Sequence, residues 1–180
     1  MKHNDIALKT RSGETVFTGQ FPHHAACVMA AVNQNISLDY VDLSGLSLRS
    51  CTLDGASLRH ADLRGCDLTS ANLSECDLRD TLFDMARLVD ACLAESRLDR
   101  ASLRHTQMQA AIMHETSLYR ACMTLSTAWA IPWEDVAPRW PVYIETDECA
   151  FQPYMRPPLM IRADRKIVTQ ATTPIGCVII

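Results

Sequence analysis

The chain has 180 residues, 48% of them hydrophobic, with a formal net charge of −4 and a pI near 5.8. That balance suits one globular unit with a continuous core and argues against direct nucleic-acid binding, which needs concentrated Lys and Arg. The sequence has no run of eighteen apolar residues and no apolar segment behind MKHNDIALK, so neither a membrane span nor a signal peptide is predicted and the expected compartment is the cytoplasm.

Residues 5–18, DIALKTRSGETVFT, alternate around Ser12-Gly13, a two-residue hairpin signal. Pro22 opens a predicted helix that runs to Asn35, with Ala25, Val28, Met29 and Val32 on one stripe. Together they form a predicted N-terminal cap, residues 1–35.

From Leu38 to Met123 every fifth residue is Leu, Met or Phe, in eighteen pentads without an insertion. ADLRGCDLTSANLSECDLRD, residues 61–80, is typical. Two residues before each centre, from Cys51 to Ser126, stands only Ala, Cys, Ser or Thr. A helix would carry such a leucine around its surface and a strand would flip it at each repeat. The chain must therefore bend after every pentad, with the leucine and the small residue pointing inward. Ile36, Val41 and Leu46 replace the small residues in the first pentads and are expected to widen that end toward the helix.

Tandem A(D/N)LXX resembles the pentapeptide repeat family, whose members form a right-handed quadrilateral β-helix with four pentads per coil. The resemblance spans residues 36–126 and implies an all-β solenoid of about 4.5 coils stacked about 4.8 Å apart. The hairpin-helix entry is similar to those of phage and bacterial pentapeptide proteins.

After Ser126 the pattern stops, and residues 127–180 are expected to form an irregular and β C-terminal cap. WAIPWEDVAPRWP suits an irregular segment across the lower end, and PLMIRADRKIVT reads as a hairpin. Outward apolar residues in the later coils, among them Leu82, Met85, Val89, Cys92, Ala94 and Ile112, imply either cover by this tail or a dimer interface, so monomer and homodimer both stay open. The terminal Cys177-Val178-Ile179-Ile180 fits both a C-a-a-X prenylation signal and a buried strand. Cys51, Cys66 and Cys76 occupy inward small positions and are read as reduced thiols.

Folding the sequence at twenty residues sorts its charges. The side through Leu38, Leu58 and Leu78 carries Arg59, Arg79, Arg100 and Arg120 interleaved with aspartates, and column mates such as Asp39, Arg59, Arg79 and Asp99 suggest weak cross-coil ion pairs. Three sides nearly balance. The fourth, through Leu53, has Asp54, Glu75, Glu95 and Glu115 and no basic residue. This acidic side is either a solvated surface or a ladder that meets a basic protein partner. The resemblance implies the second mode: the quinolone-resistance and gyrase-binding members present acidic rods that mimic duplex DNA to type II topoisomerases. The expected function is thus a non-enzymatic modulator of a basic, nucleic-acid-processing partner, of bacterial or phage origin. The alternative is a scaffold or effector acting through Arg59, Arg79, Arg100 and Arg120 or the C-terminal segment.

No catalytic constellation or cofactor motif is found, and no metal site is expected. His23-His24 with Cys27 has ligand-type residues at helical spacing but lacks a fourth ligand. His60 and His105, placed near one edge, come with no nucleophile. Gly45, Gly55 and Gly65 close their pentads, where a corner favours positive φ, and make no phosphate loop.

Overall fold

The computed structural model describes residues 3–133, 135, 136, 142–146, 149–154, 159–161 and 166–168. Strands β1 (Asn4–Lys9) and β2 (Thr15–Phe21) form an antiparallel hairpin, followed by helix α1 (His24–Asn33). The hairpin loop is longer than the sequence signal implied. Gly13, at φ 88°, donates its N–H to Thr10 O at 2.9 Å, and the Thr10 N–H closes onto Glu14 O at 2.8 Å. A turn followed by a left-handed glycine makes a three-residue loop. Helix α1 buries Cys27, Val28 and Ala31, and Ala25, Met29 and Val32 flank them. It starts at His24, after His23, an extended N-cap whose Nδ1 accepts the Ala26 N–H at 3.2 Å.

Below the helix the chain winds into square coils. Parallel bridges join residues twenty apart: Asp42 to Asp62 to Leu82, Ser47 to Asp67 to Arg87, Thr52 to Asn72 to Cys92, and Ser57 to Asp77 to Arg97. Each side gives two N–H groups to the next coil and one to the previous. Leu53 donates to Asn72 O at 2.8 Å, Gly55 to Ser74 O at 2.9 Å, and Asn72 back to Cys51 O at 2.8 Å. Between sides the chain turns through bonds such as Ala56 N–H to Leu53 O at 3.1 Å. The last residue of every pentad from Asn35 to Arg120 lies at φ between 53° and 70°, though only three of these positions are glycine. Left-handed backbone is unfavourable for L residues, so the regular ladder holds Glu75, Met85 and Arg100 there against their intrinsic preference.

The ladder explains the consensus. The central Leu, Phe and Met side chains are fully buried. The small position must fit beside the corner, and its hydroxyl or thiol must be satisfied. Cys66 Sγ donates to Leu43 O at 2.8 Å, Thr81 Oγ1 to Leu58 O at 2.8 Å and Thr116 Oγ1 to Leu93 O at 2.7 Å, each reaching the coil above. Ser96 is the exception, its buried Oγ having no partner. Asp or Asn before the centre accepts the N–H two residues on, as Asp62 does from Arg64 and Asn72 from Ser74, both at 3.1 Å. Where that position is Ser, an aspartate of the previous coil substitutes: Asp39 Oδ1 accepts both Ser57 Oγ at 2.7 Å and the Arg59 N–H at 2.9 Å.

At the upper end Val41 is buried and Leu46 packs on the core, but Ile36 remains 36% exposed. At the lower end the stacking goes past Ser126. Strands β3 (Ser102–Leu103), β4 (Cys122–Thr124) and β5 (Val142–Thr146) pair in parallel, β5 being set off by twenty-one residues rather than twenty. Between β4 and β5 lies a short helix, α2 (Leu125–Ala130), which begins inside the last predicted pentad and ends at the start of the segment read as irregular. The helix stops because Ile131 precedes Pro132 and takes an extended conformation. Ala128, Ile131, Trp133 and Val136 are buried in this coil, and Trp133 Nε1 donates to Ala128 O at 2.9 Å. β6 (Cys149–Tyr154) pairs antiparallel with β5, and β7 (Leu159–Ile161) with β8 (Lys166–Val168), as the hairpin signal in PLMIRADRKIVT anticipates. The Cys177–Ile180 terminus and its prenylation reading lie outside the described residues.

Candidate partner-binding faces

Because the register is twenty residues, each outward position becomes a column along the rod. Glu75, Glu95 and Glu115 form one corner column: their N–H groups donate to Ala94, His114 and Asp135 carbonyls at 2.8, 2.7 and 2.8 Å. Asp54 stands one position before that corner, in the first coil, rather than in the column itself. All four carboxylates are exposed, and none makes an ion pair with a described residue. Asp135, exposed, follows Ala94 and His114 in accepting the corner N–H, so like Asp54 it adds a carboxylate one position before the corner, at the lower end of the rod. Sequence reasoning missed it because the repeat consensus ends nine residues earlier, while the backbone stacking does not.

The arginine side has the opposite character. Arg79, 26% exposed, bonds Asp77, and Arg100 grips Asp80 with two bonds of 2.7 and 2.6 Å. Arg97 lies 3.7 Å from Asp99. Arg59 gives its N–H to Asp39, while its buried Nε has no partner. Arg120 lies over the Tyr119 ring at 5.3 Å. The expected cross-coil pairing forms between Arg100 and Asp80, twenty residues apart, but the Asp39–Arg59–Arg79–Asp99 column makes no such ion pair among the described residues. Arg79–Asp77 and Arg64–Asp62 are two residues apart in one pentad, where both side chains leave the same face of an extended segment.

The most buried charge among the described residues is Asp62, 1% exposed. Arg64 holds it through Nε at 2.9 and 3.1 Å and Nη2 at 2.6 Å, and Arg11 of the hairpin loop holds it through Nε at 2.9 Å and Nη2 at 2.6 Å. Burial pushes its carboxyl up, but the bonds from Arg64 and Arg11 outweigh this and leave it below its ordinary value. The Thr69 hydroxyl, with Arg49, holds Asp67 down at about 2, and arginine partners likewise lower Asp77 and Asp80. A carboxyl depressed in the folded state stabilises fully above its unfolded value and is lost as pH falls toward the folded one. Urea unfolding midpoints should therefore be flat near neutrality and fall between about pH 4 and about pH 2. A midpoint that rises with acid in that window would contradict this assignment.

Burial alone pushes the Cys27 and Cys51 thiols up, and it leads in raising Cys66 and Cys76 to about 12. Cys27, Cys51, Cys66, Cys76 and Cys92 are free thiols. No group of His, Cys, Asp and Glu among the described residues is placed to hold a metal; His23 caps a helix instead. His60 and His105 do not share an edge. His60 stacks on Tyr40, with centroids 4.7 Å apart and planes 7° apart, and faces Asp80 at 3.8 Å, whereas His105 stands one corner farther on, below Met85. An open cleft of about 490 Å³ separates the Tyr40–His60 pair from the hairpin loop, where Thr10 and Ser12 bond each other at 2.7 Å. Among the outward apolar residues, Met85 and Ile112 stay 69% and 56% exposed.

No described helix is long and apolar enough to cross a membrane. Residues 42–84 and 86–125 match the family model of pentapeptide repeats in eight copies. No curated protein matches the chain. Similar solved structures include a pentapeptide repeat protein from Nostoc Pcc 7120, 28% identical with TM-score 0.47, covering 48% of this chain and 71% of that one. Another is Rfr23 from the cyanobacterium Cyanothece 51142, 28% identical with TM-score 0.27 over 46% of this chain and 60% of that one. A third is QnrB1, a plasmid-mediated fluoroquinolone resistance protein, 13% identical with TM-score 0.34 over 50% of this chain and 47% of that one. The repeat region, residues 42–84 and 86–125, is thus made of pentapeptide repeats wound into a right-handed quadrilateral β-helix.

Proposed function

We propose that this chain is a non-catalytic, cytoplasmic interaction protein whose acidic face, Asp54, Glu75, Glu95 and Glu115, binds and modulates a partner with a basic surface. One observation carries the reading. These carboxylates are exposed without an ion-pair partner among the described residues, whereas Arg79, Arg97 and Arg100 on the neighbouring side are matched by aspartates. An unmatched line of charge steers a basic surface into encounter. The partner class is a nucleic-acid-processing enzyme, a type II topoisomerase in the DNA-mimic mode that the family resemblance implies. Free buried thiols suit a reducing compartment. The second reading, a scaffold working through the arginine side, has the exposed Arg120 in its favour.

The test is a pull-down from bacterial lysate with the wild type beside the Asp54, Glu75, Glu95, Glu115→Lys variant, at low and moderate salt. A DNA-processing enzyme should be retained by the wild type and held at least about tenfold more weakly by the variant. Equal retention by both would move the interface to the arginine side or the C-terminal segment.

A further inference from the structure

The acidic face is not uniformly polar. Beside the glutamate column runs a second outward column, Thr52, Asn72, Cys92 and Ile112, joined by successive parallel bridges. It is polar in the upper two coils and apolar in the lower two. Ala94 lies between the columns, and Ala110 occupies the far corner of the same side. Ile112 is 56% exposed, so no described residue covers it. Glu95 and Glu115 therefore border an apolar stripe that runs parallel to them along the rod. His114 lies between Ile112 and Glu115, and Arg97, just past the glutamate corner, faces Asp99 at 3.7 Å.

We infer that the stripe and the glutamate column together receive a basic amphipathic α-helix of the partner protein, laid along the rod axis. The inference rests on the acidic-face reading and specifies which part of the partner meets it. A helix advances about 5.4 Å per turn, and the coils repeat about every 4.8 Å. Basic residues at i, i+4 and i+7 would meet Glu75, Glu95 and Glu115 with a mismatch of at most about 1.2 Å, well within the reach of Lys or Arg. Apolar residues beside them on the same helical stripe would cover Ile112. One column with a charge per about 4.8 Å, bordered by an apolar stripe, fits a narrow cationic ridge on the partner's basic surface. Burial of Ile112 also adds attraction that salt does not screen.

The experiment displays a library of random 18-residue peptides against the full chain, then measures the best binder on the wild type, on Ile112→Asn and on Glu95→Gln/Glu115→Gln. All three substituted positions are exposed, so folding should be retained, which circular dichroism checks. Enriched peptides should be helical, with Lys or Arg at i, i+4 and i+7 and Leu, Ile or Phe alongside, and each variant should weaken binding roughly tenfold. Basic peptides without an apolar period, or binding that survives Ile112→Asn, would overturn the inference and leave the acidic-face reading standing. Binding indifferent to the glutamate changes, or no enrichment, would overturn both.

Discussion

Replacing Phe83 with Ala is expected to cost roughly 3–5 kcal/mol of folding stability, the range for emptying a buried aromatic site. Phe83 is fully buried at a pentad centre in the middle of the rod. Its backbone carbonyl accepts the Ala86 N–H at 2.8 Å and the Thr106 hydroxyl at 2.9 Å, so the ring is held where a turn meets the coil beneath. Leucine fills the equivalent places above and below, Leu63 and Leu103, which makes the ring the widest inward group of that side. Neighbouring coils touch only one another in a solenoid, so the vacancy has few ways to close without disturbing the ladder. Phe83→Leu, which restores the usual residue, should lose less than about 1.5 kcal/mol. Urea unfolding followed by circular dichroism measures both, and the alanine variant should also broaden the transition as the two halves uncouple. An alanine variant within about 1 kcal/mol of wild type would mean that Phe83 is not tightly packed.

Asp62→Ala is the second large effect, with an expected loss of about 2–3 kcal/mol. The carboxylate is buried, holds two guanidiniums and caps the Arg64 N–H. Both arginines are half-exposed, 46% and 53%, and regain water when released, which keeps the loss below that for a wholly buried pair. The location of the damage is more diagnostic than its size. Arg11 belongs to the hairpin loop and Asp62 to the second coil, so hydrogen exchange should rise across residues 4–21 before the rod itself opens. Asp62→Asn retains an acceptor for the Arg64 N–H and should lose about half as much. If exchange in the hairpin is unchanged in the alanine variant, the pairing of Thr10 with Val41 and the packing of α1 suffice to dock the cap.

Most of the candidate site was legible in outline. The spacing of twenty places Glu75, Glu95 and Glu115 in one column from the sequence alone, because coil length is set by the pentad count. Asp54 keeps the same side but not the same column. Asp135 and the Arg11–Asp62–Arg64 cluster were not legible. The first follows a helix that interrupts the repeat, and the second joins residues 51 apart through a loop whose docking no local pattern records.

The sequence by itself determined the rod: a leucine and a small residue at strict five-residue spacing admit one way to keep both inside, a turn after each pentad. Hydrogen-bond geometry then leaves only stacked coils that satisfy one another's N–H and C=O groups. Tertiary structure decided what happens at the ends and on the surface. There the hairpin's Arg11 finds Asp62, α2 carries the chain around to a further coil, His23 serves as a cap, and Arg79 takes an aspartate of its own pentad while Arg100 takes its column mate Asp80. Those outcomes depend on long-range approach and on the reach of flexible side chains, which a repeating pattern of apolar and small residues does not encode.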